Sequence, residues 1–171
     1  MRSLAIASTS PALTATTRPV PNADFTSGIA GQPLLHAAGY PVATSICYEV
    51  IFGEQVIRDL PAAAMLVNVS NDAWFGGSLA PHQHLEMARM RARETERPML
   101  RATNTGISAI IDYRGNISAR SAQDEEVVLT GSVTPRAGAT PYVRVGNVPA
   151  IGLCVAFLLM AWVTSRKRSK M

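Results

Sequence analysis

Cysteine is scarce in this chain: there are two, Cys47 and Cys154. Cys154 lies inside the most apolar stretch, so pairing it with Cys47 has no geometric support, and no disulfide framework is indicated. Cys47 therefore reads as a free thiol. Lysine is confined to the C-terminus, as Lys167 and Lys170. With Arg166 and Arg168 these supply four positive charges at the end of the chain, and the remainder holds twelve basic and twelve acidic residues. The body is neutral, which argues against a nucleic-acid-binding face. Charge is absent altogether from Val145 to Thr164, a 20-residue run that matches the ~20 residues needed to span a bilayer. Asn147 and Pro149 fall in its first turn, and Trp162 sits near the far end, as an interfacial aromatic does. A buried core helix is the bland alternative. Arg166 to Lys170 then stays cytoplasmic by the positive-inside rule.

What is present fits one core plus an appendage, given 171 residues, 47% hydrophobic content and a mean hydropathy of +0.13. Met1 to Pro21 is rich in Ser, Thr, Ala and Pro without an acidic residue. It reads as an irregular lead-in whose apolar core is too short for a secretory signal. Gly28 to Pro33 is a turn-rich connection, and Pro33 to Tyr40 reads as a short strand entering a glycine turn. Val42 to Ile46 and Ala64 to Val69 are apolar and partly β-branched, hence buried strands. Gly53 to Leu60 suggests a short helix stopped by Pro61. A longer helix runs from Pro81 to about Glu96, with Leu85, Ala88, Ala92 and Thr95 on one face and Met87 and Met90 widening it. Strands are expected at Met99–Thr103, Ile107–Asp112 and Val127–Val133, with a hairpin turn at Tyr113–Asn116. The alternation indicates a layered α/β domain without internal repeats.

Two stretches carry chemistry. In Thr44-Ser-Ile-Cys-Tyr-Glu-Val-Ile-Phe-Gly-Glu54 a thiol stands at a strand's end beside Glu49 and Glu54. Strand ends hold a side chain rigidly at the rim of a sheet, which suits a nucleophile; a buried structural cysteine is the competing reading. Val67-Asn-Val-Ser-Asn-Asp-Ala-Trp-Phe-Gly-Gly77 runs from a strand into a polar, aromatic loop. There Trp74 and Phe75 read either as lipid contacts or as core. His82 and His84 diverge by about 200° on a helix, which disfavours a shared metal. Glu86, Glu94 and Glu96 among Arg89, Arg91, Arg93 and Arg97 read as solvated helix charges, with phosphate binding as the lesser alternative.

These stretches, the helix from Pro81 and Arg97-Pro-Met-Leu-Arg-Ala-Thr-Asn-Thr-Gly106 together resemble the carbon–nitrogen hydrolase (nitrilase) superfamily. The Cys-Tyr-Glu, Asn-Asp-Ala-Trp-Phe-Gly and Arg-Ala-Thr-Asn-Thr-Gly-Ile-Ser elements resemble its apolipoprotein N-acyltransferase branch, from Asp24 to the C-terminus. The resemblance implies a partial nitrilase-like αββα sandwich at 24–140, after a lead-in at 1–23 that does not match. A transmembrane helix at 145–164 and a basic cytoplasmic tail at 165–171 complete the expected organisation. It implies Cys47 as nucleophile, the Tyr48 backbone N–H as oxyanion donor and Glu49 as an accessory carboxylate. Asn71, Trp74 and Phe75 become substrate-binding candidates; no metal or cofactor is implied. Implied partners are a phospholipid acyl donor and a diacylglyceryl-cysteine apolipoprotein acceptor. The implied location is the bacterial inner membrane, with the globular part on the periplasmic side.

The family's general-base glutamate and oxyanion-stabilising lysine both precede the cysteine. Here no lysine precedes Cys47, and the only earlier carboxylate is Asp24. Three readings follow: an acyltransferase portion completed by a complementing N-terminal fragment, an inactive membrane-tethered remnant or binding protein, and a nitrilase-type amidase.

Overall fold

Apolar residues recur in adjacent pairs along the strands, Val42/Ala43, Met65/Leu66, Met99/Leu100 and Ile110/Ile111, and successive side chains of a strand point to opposite faces. A sheet built from such pairs must be covered on both sides. The computed structural model describes residues 3–7 and 33–168. It places strands β1 (Ser3–Ala7), β2 (Leu35–Ala37), β3 (Tyr40–Ile46), β4 (Met65–Asn71), β5 (Met99–Asn104), β6 (Ala109–Ile111), β7 (Ile117–Arg120) and β8 (Val128–Ser132). The helices are α1 (Gly53–Val56), α2 (Ala80–Thr95), α3 (Pro141–Val145) and α4 (Val148–Arg168). Six strands form one mixed sheet in the order β2-β3-β4-β5-β6-β7, while β1 and β8 form a separate antiparallel pair. The central three, β3, β4 and β5, run parallel, so their C-terminal ends share one edge.

The paired residues separate into two cores. Ala43, Leu66, Met99, Ala109 and Ile111 pack with Leu85, Ala88 and Ala92 of α2. Val42, Met65, Leu100 and Ile110 face the other way, toward Val133 and Leu129. The described residues thus build three layers, helix on sheet on sheet, of the αββα plan. α2 turns Leu85, Ala88, Ala92 and Thr95 inward as its spacing indicated, and adds Pro81 and His84. Met87 and Met90 instead lie exposed.

Three expectations are corrected. Ser3–Ala7, expected to be irregular, is a strand whose backbone pairs antiparallel with β8 from Ser3↔Ser132 to Ala7↔Val128. The apolar Leu-Ala-Ile run, too short for a signal, is long enough for one ladder. The rest of the lead-in, Asp24 and the turn region Gly28 to Gln32 lie outside the described residues, as do Ser169 to Met171. Arg97, expected among solvated charges, is 1% exposed. Its Nε donates to Ala63 O at 2.7 Å and its Nη2 to Gly138 O at 2.6 Å, pinning the end of α2 to two loops. Finally, the apolar helix begins at Val148, because Val145 ends α3 and Gly146 breaks the chain at φ 54°. A Cβ on Gly146 would also strike the Glu54 carboxylate, whose Oε1 accepts the Asn147 N–H at 3.0 Å. Both the conformation and the close approach require glycine there.

Within α4, Val148–Arg166 is 19 residues with mean hydropathy 2.0, and none of it is buried in the body. At ~1.5 Å per residue it is long enough to cross the hydrocarbon core of a bilayer. An apolar helix with no packed face needs another apolar surrounding. The full chain is expected to stay with membranes through high-salt and alkaline washing, and a chain ending before Val148 to appear in the supernatant. Full-length protein released by such washing without detergent contradicts this.

Candidate active site

β3 ends at Ile46, and Cys47 opens a short 3-10 turn, Cys47–Ile51. The turn is anchored by Val50, which is fully buried. Cys47 takes a left-handed backbone conformation, φ 51°, which costs a residue with a Cβ about 1–2 kcal/mol. Its side chain is half-buried and unpaired with Cys154. Glu49 folds back so that its Oε2 accepts the Ile46 N–H at 2.7 Å, bracing the turn where it leaves the strand. Glu54, expected beside the thiol, is instead committed to Asn147.

Beneath the turn lies a buried polar layer at the C-terminal ends of the parallel strands. Ser45, Asn68 and Arg101 stand side by side in register across β3, β4 and β5. Asn68, Asp72, His84 and Arg101 are at most 2% exposed. Arg101 Nη2 donates to Asp72 Oδ2 at 2.8 Å, its Nη1 to Asn68 Oδ1, and its Nε to Ile107 O at 3.3 Å. Ser70 Oγ donates to Asp72 Oδ1 at 2.6 Å. His84 Nδ1 lies 3.1 Å from both Asp72 Oδ1 and Arg101 Nη2. Two of these side chains reach the Cys47 backbone: Asn68 Nδ2 and His84 Nε2 each meet Cys47 O at 3.2 Å. A Cβ on Gly106 would fall inside 3.0 Å of the Asp72 carboxylate, so glycine lets the Asn-Thr-Gly turn close over the pair.

Burial pushes the Asp72 carboxyl up. The hydrogen bonds from His84 and Ser70 and the charge of Arg101 together outweigh it and hold the group below the usual aspartate range. Burial likewise lowers Arg101, opposed by Asp72 and by Cys47; a guanidinium nevertheless stays charged. The site therefore contains a buried cation.

The structure gathers some of the residues singled out from sequence and disperses others. Tyr48 and Phe75 flank His84, with ring centroids 6.0 and 6.4 Å away, and Phe52 stacks edge-on against Tyr48 at 6.2 Å. Trp74 is 76% exposed, so it is not core. Asn71 is exposed and spends its side-chain oxygen on the Ala73 N–H at 3.1 Å, a local turn bond. Among the described residues no cluster of three metal-ligating side chains occurs. Sequence reasoning did not single out Asn68, His84 or Arg101 as partners of Cys47. A signal existed for His84: it lies four residues before Ala88 and eight before Ala92, on the face already identified as buried.

Residues 10–142 match the carbon-nitrogen hydrolase family. The chain belongs to that family. An apolipoprotein N-acyltransferase of Methylococcus capsulatus is 54% identical over 150 residues, which is 88% of this chain and 30% of that protein. One from Nitrosomonas europaea is 50% identical over 142 residues, 83% of this chain and 28% of that protein. This carbon–nitrogen hydrolase chain thus spans about 30% of the length of the curated relatives it matches. A carbon-nitrogen hydrolase structure from Helicobacter pylori G27 superposes with a TM-score of 0.54 at 16% identity, over 64% of this chain and 45% of that one. That likeness concerns the fold alone.

In this carbon–nitrogen hydrolase site the Asp72–Arg101 pair is the testable element. Because the folded carboxyl is held below its ordinary value, its contribution is complete above the unfolded value and is lost as pH falls through the folded one. Asp72→Asn leaves Arg101 buried without its counter-charge and is expected to lower stability by roughly 3–5 kcal/mol at neutral pH. The gap to the parent should close in acid below the ordinary aspartate range. Urea midpoints that differ equally at neutral and strongly acidic pH contradict this.

Proposed function

We propose that this chain is the nucleophile-bearing part of an apolipoprotein N-acyltransferase. The observation that carries the reading is Cys47, a half-buried thiol held left-handed at the C-terminal end of a parallel strand. The name the relatives carry, apolipoprotein N-acyltransferase, supports the acceptor class, and the phospholipid donor is part of the proposal. In this reading the Cys47 thiolate attacks the carbonyl carbon of a phospholipid ester. A C–S bond forms, the carbonyl electron pair moves to oxygen, and collapse breaks the C–O bond, the lysophospholipid leaving as an alcohol with the proton that the general base took from the thiol. The α-amino group of an N-terminal diacylglyceryl-cysteine then attacks the thioester, forming the amide and releasing the thiolate.

The Tyr48 N–H donates to the oxyanion, and Glu49 acts as a brace for the turn through Ile46. Trp74, with its loop neighbours Phe75 and Asn71, offers an exposed aromatic edge to the acyl chain, which favours a lipid substrate over the small amide of a soluble amidase. α4 spans the inner membrane with its basic end in the cytoplasm and the body in the periplasm. The general base and the lysine are supplied by a complementing segment, since residues 1–46 hold no lysine and one carboxylate, Asp24.

The arithmetic makes this demanding. A free cysteine is only a few per cent thiolate at neutral pH, and loss of one oxyanion donor costs about a hundred- to thousandfold in rate. The chain alone, given phospholipid with a labelled acyl group, is expected to form no thioester. Addition of a complementing segment carrying the glutamate and lysine is expected to label Cys47, and Cys47→Ala to abolish the label. A label on Cys47 of the purified chain alone would show that the missing groups are not required. Its absence even with the complementing segment favours an inactive, tethered form.

A further inference from the structure

The Cys47 carbonyl is met by two side chains, Asn68 Nδ2 and His84 Nε2, each at 3.2 Å. A carbonyl oxygen only accepts, so both nitrogens donate and Nε2 carries a proton whatever the state of Nδ1. Neither donor is free to turn. Asn68 Oδ1 accepts from Arg101 Nη1, and since a guanidinium only donates, the amide's NH2 is turned toward the end of β3. There its two hydrogens have Cys47 O and Ser45 O, each at 3.2 Å, and Ser45 Oγ at 3.0 Å as acceptors. On its other side His84 Nδ1 is 3.1 Å from both Asp72 Oδ1 and Arg101 Nη2, and it donates to the first when protonated or accepts from the second when not, so the ring is held in either state. A buried ion pair is weak grounds for stability, because apolar residues of like volume do as well. What these polar groups do that apolar ones could not is grip one peptide bond.

That peptide joins Cys47 to Tyr48. Among the described residues the one cis bond is Leu60–Pro61, so Cys47–Tyr48 is trans, and its C=O and N–H point in opposite directions within one plane. Anchoring the C=O in the buried layer aims the Tyr48 N–H out of it. Donors on the carbonyl also polarise the amide and strengthen its N–H as a donor. We propose that His84 and Asn68 are positioning residues for acyl transfer: by holding the Cys47 carbonyl they lock the peptide whose N–H stabilises the oxyanion. The proposal rests on Cys47 being the nucleophile and the Tyr48 N–H the oxyanion donor.

The test compares two reactions of the same thiol in the full chain carrying Cys154→Ser, in detergent at one alkaline pH. With 4-nitrophenyl acetate the thiolate adds to the ester carbonyl through a tetrahedral oxyanion; the C–S bond forms and 4-nitrophenolate leaves with its electron pair. The phenolate is a good leaving group, so this step does not need the complementing segment. With iodoacetamide the thiolate displaces iodide and no oxyanion forms. Changes in thiolate content, access or local order move both rates together, whereas loss of the aimed N–H slows acetylation alone.

His84→Phe keeps the ring volume without a donor and is expected to lower the acetylation-to-alkylation ratio by roughly tenfold, a part of the hundred- to thousandfold attached to a whole oxyanion donor. His84→Gln restores an N–H near the same place and is expected to recover most of the ratio. Should His84→Phe not fold by circular dichroism, Asn68→Ala carries the same comparison. A ratio unchanged in the folded donor-less variant overturns the positioning role and leaves the proposed function standing. Alkylation of Cys47 without any acetylation in the parent chain overturns the acyl-transfer reading itself, and this proposal with it.

Discussion

The Asp72–Arg101 ion pair, with neither side chain exposed, is the contact on which the rest of the site depends. Arg101 comes from the middle of β5, Asp72 from the loop after β4, Asn68 from β4 and Ile107 from the turn into β6, and the guanidinium touches all of them. Taking both charges out of water costs several kcal/mol each, which their attraction returns only if every remaining donor and acceptor is matched. Here the second carboxylate oxygen is met by Ser70 and His84, and the guanidinium by a carbonyl and an amide. The layer is therefore cooperative: loosening one member leaves a buried partner unpaired, and the Cys47 turn loses its support.

A layer of this kind suits the place where parallel strands end. Backbone carbonyls there leave the ladder and must find donors. An apolar plug would fill the space but leave the Cys47 carbonyl unmatched. Asn68 and His84 match it instead. The same donors keep a cysteine in a conformation that glycine would adopt more readily. Strain at Cys47 and polar burial beneath it are thus two sides of one arrangement.

Much of the fold was legible because it rests on short periods. The inward face of α2, the strands at β3, β4, β5 and β8, the Pro61 stop and the apolar C-terminal helix all follow from spacing of apolar residues and breakers. The site was legible only in part. Cys47, Tyr48 and Glu49 are contiguous, so a motif reveals them. Asn68, His84 and Arg101 come from three elements and converge only once register is set. An arginine inside a strand, or at a helix end as with Arg97, reads as surface charge unless its acceptors are known, and those acceptors are mostly backbone carbonyls that leave no trace in composition. Val145 was assigned to the long helix because nothing in hydropathy marks the break; Gly146 and its contact with Glu54 do.

That contact joins the two parts of the chain's chemistry. The stretch from Cys47 to Glu54 is fixed at one end by the polar layer and at the other by the start of α4, through Glu54 and the Asn147 N–H. Ile46, just before it, and Tyr48 and Phe52 within it lie exposed, so the thiol and an apolar rim share one short stretch that touches the entry of the apolar helix. What must be prepared before reaction is geometry: the plane of a peptide, the reach of a thiol, its position relative to an apolar helix. All of these are built from residues of this chain. What moves protons and meets developing charge at the substrate is a matter of titratable groups. Of these the site holds Asp72, His84 and Arg101, engaged with one another in the buried layer, and Glu49, engaged with Ile46. Each of these contacts holds the turn. In the proposed acyl-transfer reading the scaffold and the groups that drive the reaction are therefore separable, and Cys47, Asn68, His84, Asp72 and Arg101 belong to the scaffold.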